Sequence, residues 1–461
     1  MKLLLISAPK FTRTSIPPLG AGYLAAALEK AGHKVSILSL TKKITTLKEI
    51  LDYTQKINPD IIGHTIFPTT FKVSQKILKE IKDKWPDKII IVGGPQATAL
   101  PQHSLKNLPA DFAVLGDGEE TIVELLKKFD EDRGELPKIY GLAYKEGERV
   151  VINPSRKLLD NLDSLSHPAW HLMPPDTYPR VPIGMLYKRY PLAQLVTSRG
   201  CPYNCTFCAV PNIMGHKLRT HSASYVGEEI EHLVKEYKVG EFQILDDNFT
   251  YSYEHAYSIS EEILKRNLDI VWKCCNGLRI DKVDNELLKI MKKAGCYHVA
   301  FGFEVADNEA LRLVKKDLNF AICQKKLKEI KRMGFETAGF FILGIPGTNK
   351  KIVEKTIDFA QSSPLDLVHF ATWMPLPGSP YWEEYSKGID LDNYPWEHIN
   401  YFSPTANKDF TTKELKDYLR KAYLSFYFKI RRIFNVFRQV KLNQMLSFLQ
   451  MQYDYIFSLR K

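Results

Sequence analysis

The sequence has no window of about 18 uninterrupted apolar residues, so no membrane-crossing helix is expected. Cysteine is scarce. Seven residues in a chain of 461, an odd number, give no sign of a disulfide framework and point to reduced thiols. The opening MKLLLIS carries one Lys and a short apolar run without a small-residue cleavage site, and it reads as a buried first strand rather than a signal peptide. A cytoplasmic location is the resulting expectation. Low-complexity tracts and internal repeats are also lacking, and 44% apolar with 25% charged residues is the balance of a globular chain. The length predicts about two to four domains.

Charge is unevenly placed. The net charge is +11, and between Lys413 and Lys461 eleven Lys and Arg stand against three Asp and Glu. A basic end of this kind suits an anionic surface, nucleic acid or an acidic partner.

Apolar, β-branched runs alternate with amphipathic stretches twice along the chain. KLLLIS, KVSILSL, DIIGHTIF, KIIIVGG and DFAVLG are the first five strand candidates, with helices between them. Such runs predict a parallel sheet covered on both faces, whose ligands lie beyond the carboxyl ends of the strands. Those ends read SAPKF, IFPTT, GGPQAT and GDGEE, three of them rich in Gly or Pro. Residues 139–191 read as a connector, with a hairpin in GLAYKEGERVVIN and a Pro-rich stretch after it. AQLVTS, EFQILDD, IVWKCCN, HVAFGFE, ETAGFFILG and LDLVHFATWMP then restart the alternation, and six successive units predict a partial or complete β/α barrel. The expected organisation is an α/β chain: a Rossmann-like doubly wound domain over 1–138, a connector over 139–191, a barrel over 192–385 and a helical, basic region over 386–461. In that last region Leu419, Tyr423, Phe426, Ile430, Ile433, Phe437 and Val440 recur at steps of three and four, one face of a helix.

Three of the seven cysteines crowd into SRGCPYNCTFCAVP at the end of the first barrel strand: Cys201, Cys205 and Cys208. Structural zinc asks for four closed ligands, usually as two paired motifs. Cys274 and Cys275 are adjacent, Cys296 and Cys323 stand alone, and His216 and His221 form no zinc knuckle. Three thiolates on one loop suit three irons of a 4Fe–4S cluster, leaving the fourth iron open to a ligand.

The spacing Cys-x-x-x-Cys-x-x-Cys, with aromatic Phe207 before the third cysteine, resembles the radical S-adenosylmethionine (SAM) superfamily. That resemblance implies that the open iron chelates SAM and that one electron from the cluster cleaves it to a 5′-deoxyadenosyl radical. It extends over most of residues 192–385. ILDDNFT stands where the family contacts the SAM amino group, which makes Asp246, Asp247 and Asn248 candidates, although the frequent Gly-Gly-Glu is absent. FGFEVADNEALRLVKK makes Glu304 a further SAM contact, and FFILGIPGT places Ile345 beside the adenine.

Five parallel strands ahead of such a barrel resemble the cobalamin-binding domain of cobalamin-dependent radical SAM proteins. By that resemblance Gly93, Gly94, Gly116 and Gly118 let backbone approach the corrin, since glycine interposes no side chain. Other cobalamin domains carry Asp-x-His-x-x-Gly before the first helix. Here the corresponding stretch is Ser15-Ile16-Pro17-Pro18-Leu19-Gly20, so a cobalamin without a histidine lower ligand is expected. His33, His64 and His103 are weaker alternatives. A Rossmann-like domain holding a nucleotide or nothing is the bland reading, and Gly-x-Gly-x-x-Gly does not follow the first strand.

The family implies cofactors (a 4Fe–4S cluster, SAM and cobalamin) and an external electron donor such as a flavodoxin or ferredoxin. The expected reaction is methylation of an unactivated carbon of a small-molecule or lipid substrate. A cyclisation or rearrangement without net methyl transfer is the alternative. Methylthio transfer would need a second cysteine triad, and a non-enzymatic sensor on nucleic acid is disfavoured by the SAM-strand motifs. The basic tail has two readings: a helix packed on its own barrel, or a peripheral membrane contact.

Overall fold

The computed structural model describes residues 1–9, 15–42, 45–131, 133–181, 186–399, 404–429 and 432. The chain divides into two compact units. One comprises Met1–Pro179, Ala209–Arg219 and Leu376–Glu397; the other comprises Arg180–Cys208, Thr220–Pro375 and His398–Lys461.

In the first unit the elements run β1 (Lys2–Ile6), α1 (Leu19–Lys30), β2 (Lys34–Leu38), α2 (Leu47–Ile57), β3 (Ile61–Thr65), α3 (Phe71–Lys84), β4 (Ile89–Gly93), α4 (Pro95–Ala99), α5 (Pro101–Asn107), β5 (Phe112–Val114), α6 (Glu119–Glu131), β6 (Leu142–Glu146) and β7 (Arg149–Ile152). Their sheet has the order β2-β1-β3-β4-β5-β6-β7. The first five strands are parallel, and β6 and β7 are antiparallel. The reversal of order about β1 is that of a doubly wound sheet. Strand residues such as Leu3, Leu5, Ile61 and Ile91 pack on Ala25, Leu28, Ile122 and Leu125 of the covering helices. The hairpin that the sequence reading puts in the connector joins this sheet, with Phe112 opposite Tyr144 and Val114 opposite Leu142. β5 is only three residues long, and the hairpin covers an edge that would otherwise stay open.

The two-residue strands β9 (Ser198–Arg199) and β10 (Arg219–Thr220) and the short helix α7 (Val210–Met214) follow β8 (Leu192–Leu195). The second unit then alternates α8 (Ala223–Tyr237), β11 (Glu241–Ile244), α9 (Tyr253–Lys265), β12 (Val271–Leu278), α10 (Asn285–Lys293), β13 (Cys296–Glu304), α11 (Asn308–Leu313), α12 (Phe320–Arg332), β14 (Glu336–Leu343), α13 (Lys350–Ser362) and β15 (Leu367–Thr372). After α14 (Pro380–Tyr385), the helix α15 (Thr412–Tyr427) closes the described chain. β8, β11, β12, β13, β14 and β15 form a six-stranded, all-parallel sheet in chain order, the partial barrel expected of six repeated units. Ser and Asp side chains cap the helices that leave the strand ends: Ser222 accepts from Tyr225 N–H, Ser252 from His255 N–H and Asp284 from Leu287 N–H.

Along β14 and β15, burial alternates strictly. Thr337, Gly339, Phe341 and Leu343 are buried and the residues between them half-buried; Val368, Phe370 and Thr372 repeat this on β15. Phe341 meets Phe359 of α13 and Phe370 meets Tyr423 of α15, so the buried set faces the helices. Ala338, Phe340, Ile342 and Ala371 lie on the opposite face and are half-buried, and half-buried His369 has Nδ1 3.4 Å from Tyr423 OH.

β15 pairs only with β14, and its outer edge is closed by side chains. Tyr427 OH accepts from Val368 N–H at 3.1 Å and donates to Val368 C=O at 2.9 Å. Tyr423 OH does the same for Phe370, at 3.1 and 3.0 Å. Two tyrosines four apart on a helix stand about 6 Å apart, close to the roughly 6.6 Å between alternate strand residues, so one helix can serve one edge. Of the apolar stripe read from the sequence, Leu419, Tyr423 and Phe426 are buried on the barrel. Ile430, Ile433, Phe437 and Val440 lie outside the described residues. Arg432, expected in water, instead donates to the carbonyls of Gln361 and Ser363 at 3.0 and 2.9 Å and so caps α13. Tyr423→Phe should lower the unfolding free energy by about 1–3 kcal/mol, because it strands a buried N–H and C=O. Urea denaturation of the two chains checks this.

Candidate functional site

The loop after β9 carries Cys201, Cys205 and Cys208. All three are half-buried and outside any disulfide, whereas Cys274, Cys275, Cys296 and Cys323 are buried. The loop is irregular and is held from outside. Cys208 N–H donates to Cys205 C=O at 3.1 Å, and Thr206 N–H donates to Val314 C=O at 3.0 Å. The Tyr203 ring lies 3.9 Å under the Arg279 guanidinium and edge-on to Tyr251 at 5.6 Å. The Cys201 sulfur is approached by the Tyr203 backbone N–H and the Asn248 side chain. Burial pushes both the Cys201 and the Cys205 thiol up, while those donors at Cys201 and the Lys316 charge at Cys205 oppose it.

The acidic candidates from the sequence separate into different roles. Asp246 is buried and accepts from Thr197 N–H, Thr197 Oγ1 and Ser198 Oγ, each at 2.6 Å. Thr197 Oγ1 also sits 2.9 Å from His255 Nε2. Asp246 therefore fixes the strand end that feeds the cysteine loop. Its burial holds its pKa up at about 6, against hydrogen bonds from the side chains and backbone of Ser198 and Thr197 that pull it down. Asp247 is exposed, yet crowding by the protein and the neighbouring Asp246 push it up to about 7. Asn248 is buried, and its Oδ1 has no protein partner. Glu304 ends β13 with φ +61° and accepts from Lys316 Nζ at 2.6 Å in a buried ion pair. A side chain at Gly302 would stand 2.5 Å from Glu304 Oε1, so the glycine makes room for the pair. Phe207 is half-buried on the cysteine loop, and Ile345 is fully buried after β14. The sequence reading gave no role to Thr197, Tyr203, Arg279 or Lys316: Tyr203 and Lys316 stand inside the quoted cysteine and fourth-strand motifs, but their partners, Arg279 and Glu304, are brought to them only by the fold.

In the first unit Gly93 and Gly94 end β4, and Gly116 and Gly118 follow β5, all at strand carboxyl ends. Gly94 needs to be glycine: its φ is +94°, and a Cβ would meet Thr65 and Ile66 at 3.0–3.1 Å. Gly116 is exposed with φ +69° and open space around its Cα, and its N–H donates to Thr98 Oγ1 at 3.1 Å. Between them in sequence, Asp117 forms a buried ion pair with Arg219, which also donates to the carbonyls of Leu159 and Met214 at 3.1 and 2.8 Å. Each candidate histidine has at least one ring nitrogen engaged elsewhere, and the buried Nδ1 of His103 has no partner among the described residues. His64 has Ile6 C=O at 3.1 Å and Ser74 Oγ at 2.9 Å on its two nitrogens, and burial lowers its pKa to about 4. His103 packs between Phe71 and Trp396 with Nε2 on Leu391 C=O at 3.0 Å, and His33 Nδ1 faces the N-terminal amine at 3.4 Å.

No group of three or more His, Cys, Asp or Glu among the described residues is arranged to hold a single metal ion. A cubane asks for a different arrangement, with each thiolate on its own iron. A parallel partial barrel with three uncovered thiols past its first strand, preceded by a doubly wound sheet with glycine-built strand ends, defines a class: two-unit α/β proteins equipped for an iron–sulfur cluster and a large flat ligand.

Comparison with known proteins narrows that class. Residues 12–126 match the B12 binding domain and residues 195–360 the radical SAM superfamily. A protein of Pyrococcus horikoshii named as an uncharacterized methyltransferase is 33% identical over 93% of each chain. The anaerobic magnesium-protoporphyrin IX monomethyl ester cyclase of Cereibacter sphaeroides is 27% identical over 90% of this chain and 68% of its own. The fold of OxsB, a cobalamin-dependent SAM radical enzyme solved with aqua-cobalamin and SAM, superposes with a TM-score of 0.75 at 18% identity, covering 100% of this chain and 72% of that one. The chain belongs to the cobalamin-dependent radical SAM family, and it is an enzyme of that family.

Asp246 carries a testable linkage. Its folded pKa, about 6, lies above the unfolded value of roughly 3.9. The stability it contributes is therefore full below about pH 4 and lost as pH rises through about 6. Relative to Asp246→Asn, the wild type should lose about 3 kcal/mol of unfolding free energy between pH 4 and 7, read by urea denaturation at each pH.

Proposed function

We propose that this enzyme methylates an unactivated carbon of a small molecule with an apolar portion. The observation that carries the reading is the half-buried triad of Cys201, Cys205 and Cys208 on the loop past the first barrel strand, in one sheet with half-buried Ala338, Phe340, Ile342 and Ala371 of β14 and β15. When bound, the cluster supplies the electron that splits SAM and the cobalamin supplies the methyl group.

The chain's own residues bind, orient and shield. The triad would hold the cluster, a role that suits thiols left uncovered beside cationic Lys316 and Arg279. Asn248, with an unpartnered buried Oδ1, and Asp247 would receive the SAM ammonium; Phe207, Glu304 and Ile345 complete that pocket. Glu304 is already paired with Lys316, so it acts there as part of a neutral pair rather than as a free carboxylate. Gly93, Gly94, Gly116 and Gly118 would present backbone to the corrin. The engagement of His33, His64 and His103 supports a cobalamin without a histidine below it. Ala338, Phe340, Ile342, His369 and Ala371 would line the substrate's apolar part. Burial holds His369 down at about 4, so it meets substrate as a neutral imidazole. The relationship to a cyclase keeps one alternative open, ring closure without net methyl transfer. The reducing electron would come from a flavodoxin- or ferredoxin-type donor.

Protein reconstituted without oxygen with iron, sulfide and hydroxocobalamin should retain about four irons per chain and cobalt with the spectrum of a base-off corrin. Cys205→Ala should lose the cluster iron and SAM cleavage while keeping cobalt. Retention of wild-type SAM cleavage by that variant would sink the assignment. The Asp247 role has its own pH signature. Its charge appears only as pH rises through about 7, so SAM affinity should fall as pH drops below that value. Asp247→Asn should bind more weakly and lose the dependence, as measured by equilibrium binding to the reconstituted protein.

A further inference from the structure

Arg279 stands at the carboxyl end of the third barrel strand, just past β12, and is 4% exposed. Its Nε and Nη2 donate to the two oxygens of Asp281 at 3.1 and 3.2 Å, and Nη2 also donates to Asp317 C=O. One face of the guanidinium lies 3.9 Å from the ring of Tyr203, the residue between Cys201 and Cys205. The remaining terminal nitrogen, Nη1, is buried and has no acceptor among the described residues.

An arginine offers five N–H donors in a fixed fork, and a buried donor left unmet is costly. The fork here is bound on one side by Asp281 and Asp317 and leaves Nη1 for an acceptor that the chain itself does not provide. The second cation near the loop differs. Lys316 is already neutralised by Glu304 at 2.6 Å inside the protein. Asp281, the acid paired with Arg279, is about one-third exposed, so solvent weakens its hold on the arginine's charge.

We infer that Arg279 is a positioning residue for the iron–sulfur centre: Nη1 donates to anionic sulfur held by the cysteine loop, while the guanidinium face fixes Tyr203 and the loop with it. This rests on the reading of Cys201, Cys205 and Cys208 as cluster ligands. A hydrogen-bond donor and positive charge beside a cluster favour the form with one more electron. Arg279 thereby raises the reduction potential, and an external one-electron donor fills the cluster without any bond or proton changing hands.

The test compares wild type, Arg279→Lys and Arg279→Gln as full-length, anaerobically reconstituted proteins. Iron per chain and an EPR-monitored redox titration in the absence of SAM are the readouts. At the potential where wild type is half reduced, Arg279→Gln should show a reduced-to-oxidised ratio at least tenfold lower, about 59 mV for a one-electron couple. Arg279→Lys keeps the charge and should recover most of that difference. Should Arg279→Gln fail to load iron, Asp281→Asn reads the same charge from the other side: its ratio should rise at least threefold, and no rise overturns the inference. Full iron with an unchanged ratio in Arg279→Gln overturns it as well. A wild type without any cluster overturns both this inference and the reading beneath it, whereas a wild-type cluster indifferent to Arg279 overturns this inference alone.

Discussion

Three thiols must stay uncovered on a loop that has no ladder of its own, and the rim of the barrel is organised around that requirement. Residues 201–208 contribute one internal backbone hydrogen bond, from Cys208 N–H to Cys205 C=O. Three further contacts reach the loop from other elements. Asp246, past the second strand, ties down Thr197 and Ser198 at the loop's root. Arg279, past the third, packs Tyr203 within it. Val314, just after the helix that follows the fourth strand, receives Thr206 N–H. A loop anchored at three points, by two strand ends and a helix end, keeps its conformation while leaving its cysteines only half-buried. Pre-organisation of this kind spares the ordering entropy that ligand binding would otherwise incur.

The architecture was legible in the sequence because parallel strands buried on both faces read as continuous apolar runs. KIIIVGG declares itself without help from tertiary contacts. The cysteine spacing was legible for a different reason: three chemically special residues lie within one short loop. What escaped the reading acts across the sequence. Arg279 is 76 residues from the Tyr203 it covers, and neither residue type nor local pattern links them. The Asp246–Thr197 contact spans 49 residues in the same way. Asp246 was recognised as part of a SAM-strand motif, but its side chain turns inward to the loop's root, while Asp247 faces out. Alternation along an extended backbone decides that, and the sequence alone did not fix where the strand ended. The hairpin of β6 and β7 was recognised as a hairpin but not as part of the first sheet, since its register with the three-residue β5 depends on a partner 30 residues earlier.

Within the described part of the tail, Leu419, Tyr423 and Phe426 pack on the barrel as amphipathic spacing implies, but the polar atoms on that face matter as much. Tyr423 and Tyr427 each give and take a hydrogen bond at the open edge of β15, which a leucine in the same position would leave unpaired. An open barrel has to manage such an edge, and here the solution costs no additional strand.

The charge pattern of the rim follows from the same requirement. Uncovered thiols near a low-dielectric interior are hard to ionise, as the raised Cys201 and Cys205 pKa values show. Nearby cations make thiolates attainable, but buried cations are themselves expensive unless paired. The rim resolves this by pairing Lys316 fully with Glu304 and Arg279 partly with Asp281. The first pair is neutral as a unit and acts at short range. The second leaves a donor and part of a charge directed to the side where the chain has no acceptor. Ionising the thiols and binding an electron-accepting cluster both add negative charge to that one place. An arginine that is only partly satisfied by the protein is therefore least costly when the cluster is present, and this makes loading of the site and settling of the rim a single coupled event.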